Sequence, residues 1–248
     1  DEMNLHMPQD EESEAELKNL AAVPYQIVSP ANNASIIGIF QDSLLGCYRF
    51  TRPNINFNIR QTMNLLMSIS EIKLDKLKNK ESITSFDILS QIVPPLTLKY
   101  KTKHWNDEED YSKSNNVIEI TNGNYIRGQM EKGVLGSGGK GLLQRICNYY
   151  GNQACASFID NLQNIVTEYM KSSAYSVGIS DLIADKATNE KIVETITDKK
   201  KEVKSLIDQV HLGIFENNTG KTNEEEFETQ VTNILNKARS EVGKIGRN

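Results

Sequence analysis

The stretch "VIEITNGNYIRGQM" (residues 117–130) contains two runs of strand-forming residues that flank the dipeptide Asn122-Gly123. Asn-Gly between such runs is the strongest short-range signal of a β-hairpin, because both turn residues accept a positive φ. The sequence therefore predicts an antiparallel hairpin here. Most of the remaining apolar pattern has helical spacing, so the chain is expected to belong to the α+β class.

Three longer helices are predicted C-terminal to the hairpin. In the first, over residues 152–171, apolar residues recur at helical spacing and predict one buried face. The second spans about residues 188–210. The third begins with a capping box of Thr222 and Glu225, and Gly243 predicts its end. The third helix is expected to bury an apolar face formed by Phe227, Val231, Ile234, Leu235, Ala238 and Val242.

The connection "GIFENNTGK" (residues 213–221) between the last two helices is short. These helices should therefore form an antiparallel hairpin, with each helix about 30 Å long.

The elements N-terminal to residue 117 are predicted to be short. Asp10 and the glutamates after it predict the start of a helix over residues 10–22, which Pro24 ends. The other predictions are a strand, loop and helix within 25–50, short helices over 57–67 and 84–92, an exposed segment over 70–83 and a polar loop over 101–116.

Composition excludes several classes of protein. The formal net charge of -5 argues against a surface coated by nucleic acid. No apolar run approaches the roughly 20 residues that cross a bilayer, so no membrane partner is expected. The three cysteines, Cys47, Cys147 and Cys155, form no CxxC pair, which indicates reduced, buried thiols of an intracellular protein.

Two segments resemble phosphate-binding loops but have the wrong spacing. In "GVLGSGGKG" (residues 133–141), Val134 stands where the first glycine of a Walker A loop belongs, and Gly141 stands where its hydroxyl residue belongs. In "NNTGKT" (residues 217–222), the nearest preceding glycine lies seven residues before Gly220 rather than five. We interpret both as turns.

Metal-binding patterns are also absent from the sequence. The acidic run over residues 10–16 has Ala15 where a calcium-binding EF-hand loop needs glycine. His6, His104 and His211 lack the spacing of zinc ligands and are expected to be structural.

A set of segments, in the expected order and spanning the chain, resembles the largest subunit of multisubunit DNA-directed RNA polymerases. The resemblance is closest to the eukaryotic polymerase II type and its relatives in large DNA viruses. The segments are residues 1–30, "GIFQDSLLGCYRFT" (38–51), "MNLLM" (63–67), "NGNYIRGQMEKGVLGSGGKGLLQRI" (122–146), "YSVGISDLIAD" (175–185) and "FETQVTNILNKARSEVGK" (227–244).

This resemblance implies a catalytic role for Asp1. The signature of the family reads Asn-Ala-Asp-Phe-Asp-Gly-Asp-Glu-Met-Asn, and residues 1–4 match its last four positions. Its three carboxylates hold the catalytic Mg²⁺, so the resemblance makes Asp1 the third metal ligand. The other two carboxylates are not in this sequence. We therefore expect a fragment of a nucleotidyltransferase that is inactive by itself and binds Mg²⁺ only weakly.

The resemblance also implies three domains. Residues 1–29 correspond to the end of the active-site domain, residues 30–185 to the pore domain and residues 186–248 to the start of the funnel. The implied fold is a mixed pore domain of short helices and a β-hairpin, followed by the two-helix hairpin of the funnel. The implied function is to line the channel for nucleotide entry and for extrusion of the RNA 3′ end.

The implied partners are the other polymerase subunits, the DNA template, the RNA transcript, nucleoside triphosphates and a transcript-cleavage factor at the funnel. Lys199, Lys200 and Lys201 are candidates for docking that factor or for guiding nucleotides; a solvated helix face explains them equally well. The implied location is intracellular, in the nucleus, or in the cytoplasm or virion of a viral system.

Residues 82–94 depart from the pattern of the family, and residues 68–80 and 104–116 match it poorly. An alternative function therefore stays open. The chain is then a stand-alone, non-catalytic module that mimics the pore and funnel and docks transcript-cleavage factors.

Overall fold

The computed structural model describes residues 3–78, 80, 82–217 and 219–247. The chain divides into two compact units, Asp1–Tyr175 and Ser176–Asn248. The first unit combines helices with small antiparallel sheets, and the second is helical. The predicted α+β class is confirmed, while the implied domain boundary at residue 185 stays a prediction.

The helices and strands up to residue 150 are short, and three long helices follow. The helices are α1 (Glu11–Asn19), α2 (Gln41–Phe50), α3 (Ile59–Leu65), α4 (Ser85–Ile92), α5 (Lys132–Leu135), α6 (Leu142–Tyr150), α7 (Asn152–Ser173), α8 (Lys186–His211) and α9 (Asn223–Ile245). The strands are β1 (Val28–Ser29), β2 (Ala34–Ser35), β3 (Asn56–Phe57), β4 (Ile83–Thr84), β5 (Leu98–Lys101), β6 (Val117–Thr121) and β7 (Asn124–Arg127).

The predicted hairpin forms two strands of an antiparallel sheet with the order β5-β6-β7. Its turn residues Asn122 and Gly123 have φ values of 47° and 72°, as the Asn-Gly signal requires. Strand β5 was not predicted. It pairs along β6 from Leu98 opposite Ile120 to Lys101 opposite Val117. This strand has only four residues and follows closely on Pro94 and Pro95. So short a strand gives no alternating pattern from which it could be recognised in the sequence.

Helix α7 lies at the centre of the first unit and packs against α2, α3, α4 and α6. The predicted apolar face is confirmed, since Phe158, Leu162 and Ile165 are buried. Gly46 lets α2 approach α7 closely, because a Cβ atom there would lie 2.3 Å from Val166 Cγ1. Aromatic packing stabilises this contact, since the ring centroid of Phe50 lies 5.1 Å from that of Tyr169.

Helix α1 begins as predicted and ends earlier than predicted. The Asp10 carboxylate accepts a hydrogen bond from Ser13 N at 2.6 Å, and this bond lowers the pKa of Asp10. The helix ends at Asn19, before Pro24, which lies inside a short 3-10 turn. Helix α1 has no buried residue, so little packing favours a further turn.

The segment 70–83 is less exposed than its lysines and asparagines suggested. Ile83 is buried in β4, and Ile72 and Leu77 pack against the core of the first unit. Residues 79 and 81 lie outside the described residues. Isolated apolar residues among lysines give no periodic signal, so the prediction of an exposed segment was wrong at these positions.

The second unit is the predicted antiparallel helical hairpin. The ring of Phe215, before α9, lies 6.4 Å from that of Phe227, and Lys199 Nζ lies 3.9 Å from Glu241 Oε2. Residue numbers thus fall along α8 as they rise along α9, which requires antiparallel helices. With 26 and 23 residues, the helices are about 39 Å and about 35 Å long.

Two predictions for α9 were wrong. The helix continues through Gly243 to Ile245 and is followed by Gly246, so Gly243 does not end it. Its apolar face is also not buried: among the described residues of α8 and α9, Glu226 is the only buried one, and Leu235 is 56% exposed. Two helices alone cannot enclose a core, so their apolar faces stay half-exposed.

Candidate functional site

Asp1, the predicted catalytic residue and metal ligand, lies outside the described residues. The described residues next to it form no helix or strand before α1. Met3, Leu5 and Met7 are 96%, 98% and 81% exposed. These apolar side chains alternate with polar ones and contact little of this chain.

The described residues do not provide a magnesium site by themselves. No group of three or more His, Cys, Asp or Glu side chains is placed to hold a metal ion in the part of the chain that the structure describes. Mg²⁺ prefers octahedral coordination by oxygen atoms, so a complete site needs ligands beyond these residues. Asp1 therefore stays a predicted ligand.

The three consecutive lysines of α8 do not form one cationic patch. Lys199 is half-buried and pairs with Glu202 at 2.9 Å; this hydrogen bond raises the pKa of Lys199. Lys201 is exposed and pairs with Asp198 at 3.0 Å. Lys200 is exposed as well, and no ion pair is recorded for it among the described residues. Successive residues of a helix point about 100° apart, so docking through all three lysines together is disfavoured.

The glycine-rich turn before α6 uses its backbone amides within the protein. Gly138 N donates to Ser35 O at 2.8 Å, and Ser35 N donates to Gly138 O at 3.2 Å. Lys140 N donates to Gln144 Oε1 at 2.5 Å. A phosphate-binding loop leaves such amides free for the ligand. This geometry agrees with the interpretation of the segment as a turn.

The polar loop 101–116 is ordered by Arg127, which the sequence analysis did not single out. Arg127 Nε donates to Glu119 Oε2 at 2.7 Å, and this hydrogen bond lowers the pKa of Glu119. The guanidinium also donates to Ser114 O at 3.1 Å and to Tyr111 O at 2.8 Å. Arg127, on strand β7, therefore connects the loop to Glu119 on strand β6.

A second anchor of the same loop is the buried carboxylate of Glu131. It accepts a hydrogen bond from Lys103 N at 2.9 Å and pairs with His104 Nε2 at 2.9 Å. The imidazole of His104 thus helps to attach the loop to Glu131. These partners are separated by 28 and 27 positions, so no local pattern in the sequence could reveal them.

Arg127→Met is expected to lower the free energy of unfolding of the first unit by about 2–3 kcal/mol. The substitution leaves the carbonyls of Tyr111 and Ser114 without this donor and Glu119 with only Lys99 as a partner, and the Arg127 side chain is only 12% exposed. Chemical denaturation measures the loss, and limited proteolysis within residues 101–116 should become faster. Arg60→Met is the control, because Arg60 is exposed at the start of α3. Equal losses for the two variants would contradict this anchoring role.

The cysteines behave as packing residues. All three are buried, and none of them forms a disulfide bond. Burial raises the pKa of Cys47 to about 12 and that of Cys155 to about 12. Thiols with such pKa values are poor nucleophiles and metal ligands at neutral pH.

None of the helices in the described ranges has the length and apolar character needed to cross a membrane. Comparison with known protein families matches residues 26–182 to the family described as RNA polymerase Rpb1, domain 3. The matched region covers more than half of the chain and contains α2 to α7 and the three-stranded sheet. Helices α8 and α9 follow it.

Proposed function

This chain belongs to the family of the largest subunits of RNA polymerases, and from this premise we propose that residues 30–185 line the pore of the enzyme. In this family the complete enzyme is a nucleotidyltransferase, and its other subunits are partners of the chain. Nucleotides would enter through the pore, and the RNA 3′ end would leave through it. The observation that carries the proposal is the family match over residues 26–182, which coincides with most of the proposed pore.

We further propose that Asp1 is one of three carboxylates that hold the catalytic Mg²⁺ in the complete enzyme. The support is the match of residues 1–4 to the end of the signature. When bound, such an ion stabilises the negative charge that develops during in-line displacement of pyrophosphate. The described residues form no metal site, so this chain alone is expected to be inactive and to bind Mg²⁺ weakly.

For residues 186–248 we propose the start of the funnel, where a transcript-cleavage factor docks. The long antiparallel hairpin of α8 and α9 supports this proposal. Because Lys199 and Lys201 have acidic partners, the exposed Lys200 is the best candidate for a contact with an acidic surface of the factor. The DNA template, the transcript and nucleoside triphosphates remain proposed partners, and the proposed location is intracellular, in a nucleus, or in the cytoplasm or virion.

The pore proposal is tested with a photoreactive nucleotide at the RNA 3′ end of the complete enzyme. In a backtracked complex the 3′ end should crosslink to residues within 30–185, since the extruded RNA would pass along them. The same probe in a complex that is not backtracked is the control and should give few of these crosslinks. Crosslinks of the backtracked end that all fall outside residues 30–185 would overturn the proposal.

The second candidate function is the stand-alone module that docks transcript-cleavage factors. The separate compactness of the helical hairpin favours it, because such a unit can present a binding surface without catalysis. The coding DNA directly upstream of the Asp1 codon decides between the two. An in-frame Asn-Ala-Asp-Phe-Asp-Gly supports the catalytic subunit; a stop codon or an unrelated segment supports the module.

A further inference from the structure

Lys140, in the glycine-rich turn before α6, has a backbone conformation that favours glycine. Its φ is 69°, in the left-handed region, where the Cβ atom of an L-residue lies too close to the following carbonyl oxygen. The residues at 138, 139 and 141 around it are glycines. A glycine at 140 would adopt the same conformation without strain. Strained residues of this kind cluster at functional sites, so the Lys140 side chain is a candidate for a binding role.

The buried side chain of Gln144, on α6, holds Lys140 in this conformation. Its Oε1 accepts a hydrogen bond from Lys140 N at 2.5 Å, and its Nε2 donates to Asn33 O at 2.6 Å. A backbone N–H can only donate, so the first bond fixes which end of the amide is oxygen. Asn33 also has a positive φ, of 46°. Gln144 thus connects two left-handed residues and fixes the backbone from which the Lys140 side chain extends.

The part of the chain around Lys140 is cationic. Residues 132–159 contain Lys132, Lys140 and Arg145 and no aspartate or glutamate, in a protein of net charge -5. Arg145 lies beside Lys140, since its Nε donates to Lys140 O at 3.4 Å, and its guanidinium carbon lies 4.9 Å from the ring centroid of Tyr100. Lys140 is exposed, and no ion pair is recorded for its ammonium in the described part of the chain. Two neighbouring cations favour an anionic ligand.

A phosphate group is the anion that fits this arrangement best. The amides of Gly138 and Lys140 donate hydrogen bonds within the protein, so the turn does not cradle a phosphate with its backbone. The Lys140 ammonium is the donor that is left. Lysine binds phosphate as a compact point charge with three donors and imposes no fixed planar geometry, unlike arginine. Such a contact suits a phosphate that passes along a channel.

We propose that the ammonium of Lys140 binds a phosphate group in the pore, and that Gln144 is the positioning residue that holds Lys140 for this contact. The proposal rests on the proposed function, in which nucleoside triphosphates and the extruded RNA pass along residues 30–185. Both ligands carry the phosphate that Lys140 would bind. Because Lys140 is exposed, the contact should weaken as the salt concentration rises.

Lys140→Gly in the complete enzyme removes the charge and the backbone strain together. Glycine accepts a φ of 69°, so the variant enzyme should assemble and resist heat inactivation at least as well as the wild type. Two quantities are measured on a DNA–RNA scaffold. The first is the nucleotide concentration that gives the half-maximal rate of single-nucleotide extension. The second is the ratio of backtracked to extended complexes when the RNA 3′ end is mismatched.

The source of the phosphate decides which quantity changes. A contact with the triphosphate should raise the nucleotide concentration about tenfold, and a contact with RNA should lower the backtracked ratio about tenfold. Lys140→Arg keeps the charge and should restore either quantity. Lys113→Gly, at another exposed lysine of the proposed pore, is the control and should change neither. The proposal fails if Lys140→Gly changes neither quantity, if Lys113→Gly changes them equally, or if Lys140→Arg restores nothing.

Gln144→Met tests the positioning role. Methionine has a similar volume but neither accepts a hydrogen bond from Lys140 N nor donates one to Asn33 O. We expect the quantity that changes in Lys140→Gly to change here as well. Adding Gln144→Met to Lys140→Gly should then have no further effect, because no lysine is left to position. An equal further loss in both backgrounds would show a purely structural role of Gln144 and overturn its assignment.

Failure of this contact is distinguishable from failure of the pore proposal. Crosslinks of a backtracked RNA 3′ end within residues 30–185, together with unchanged kinetics of Lys140→Gly, would reject the Lys140 contact and leave the pore in place. Crosslinks that all fall outside residues 30–185 would reject the pore itself.

Discussion

Gly38→Ala is expected to lower the free energy of unfolding of the first unit by at least about 3 kcal/mol. A Cβ atom at this position would lie 2.4 Å from Ser137 N and 2.6 Å from the carbonyl carbon of Gly136. Both are backbone atoms, so no side-chain rotation relieves the clash. The segment 35–39 and the glycine-rich turn would have to move apart.

Backbone hydrogen bonds oppose this movement on both sides of Gly38. Ile39 N donates to Leu135 O at 2.8 Å, and Ser35 pairs in both directions with Gly138. A shift large enough to accept the methyl group would lengthen these bonds and disturb α5 and α6, which flank the turn. The expected result is a lower midpoint of chemical denaturation or failure of the first unit to fold.

Gly139→Ala is the matched control for this prediction. It lies in the same glycine-rich turn, but its added Cβ would be 3.8 Å from the nearest atoms, Asn33 O and Gln144 Oε1, which is an ordinary contact. We expect a change of less than about 1 kcal/mol, since replacing glycine also reduces the entropy of the unfolded chain. Similar losses of stability in the two variants would contradict the prediction, because the clash at Gly38 would then not be the cause of the loss.

Local signals in the sequence predicted local structure well. The hairpin at Asn122-Gly123, the cap at Asp10 and the capping box at Thr222 are all confirmed. Each depends on residues no more than three positions apart, whose hydrogen bonds or φ values are nearly independent of the rest of the fold. The central helix was predicted because its apolar face repeats over 22 residues.

Features that depend on distant contacts were not predicted. The polar loop 101–116 is fixed by Arg127 and Glu131, which follow it in the sequence. Helix α6 was missed because its nine residues begin directly after the glycine-rich turn and mix apolar with polar residues. The length of α9 was misjudged at Gly243, because a glycine inside a helix costs only about 1 kcal/mol and does not end it.

The candidate sites show the same division. The assignment of Asp1 came from resemblance to a signature and not from geometry, since one carboxylate in a sequence does not reveal a metal site. The hydrogen bond from Lys73 N to Gln91 Oε1, which attaches residues 69–73 to α4, had no signal in the sequence, because the two residues lie 18 positions apart. Resemblance to a signature proposes the first kind of residue, and the structure reveals the second kind of contact.

Asp1→Asn is expected to reduce RNA synthesis by the complete enzyme at least about a thousandfold. The neutral amide is a weaker ligand for Mg²⁺ than the carboxylate, and the loss of one of three charged ligands would raise the Mg²⁺ concentration needed for half-maximal rate. Single-nucleotide extension of a preformed DNA–RNA scaffold, measured across a Mg²⁺ titration, gives both quantities.

Asp10→Asn provides the control for this loss of activity. Asp10 is the N-terminal cap of α1, and asparagine caps helices about as well as aspartate, so the same chemical change nine positions away should leave folding and rate unaltered. Binding of the DNA–RNA scaffold should be retained by both variants, because the proposed role of Asp1 is to hold the ion and not the nucleic acid. A normal rate of RNA synthesis for Asp1→Asn at low Mg²⁺ would show that Asp1 is not a metal ligand. The match over residues 26–182 would still place the chain in the polymerase family, so the proposed pore would stand without a catalytic residue in this chain.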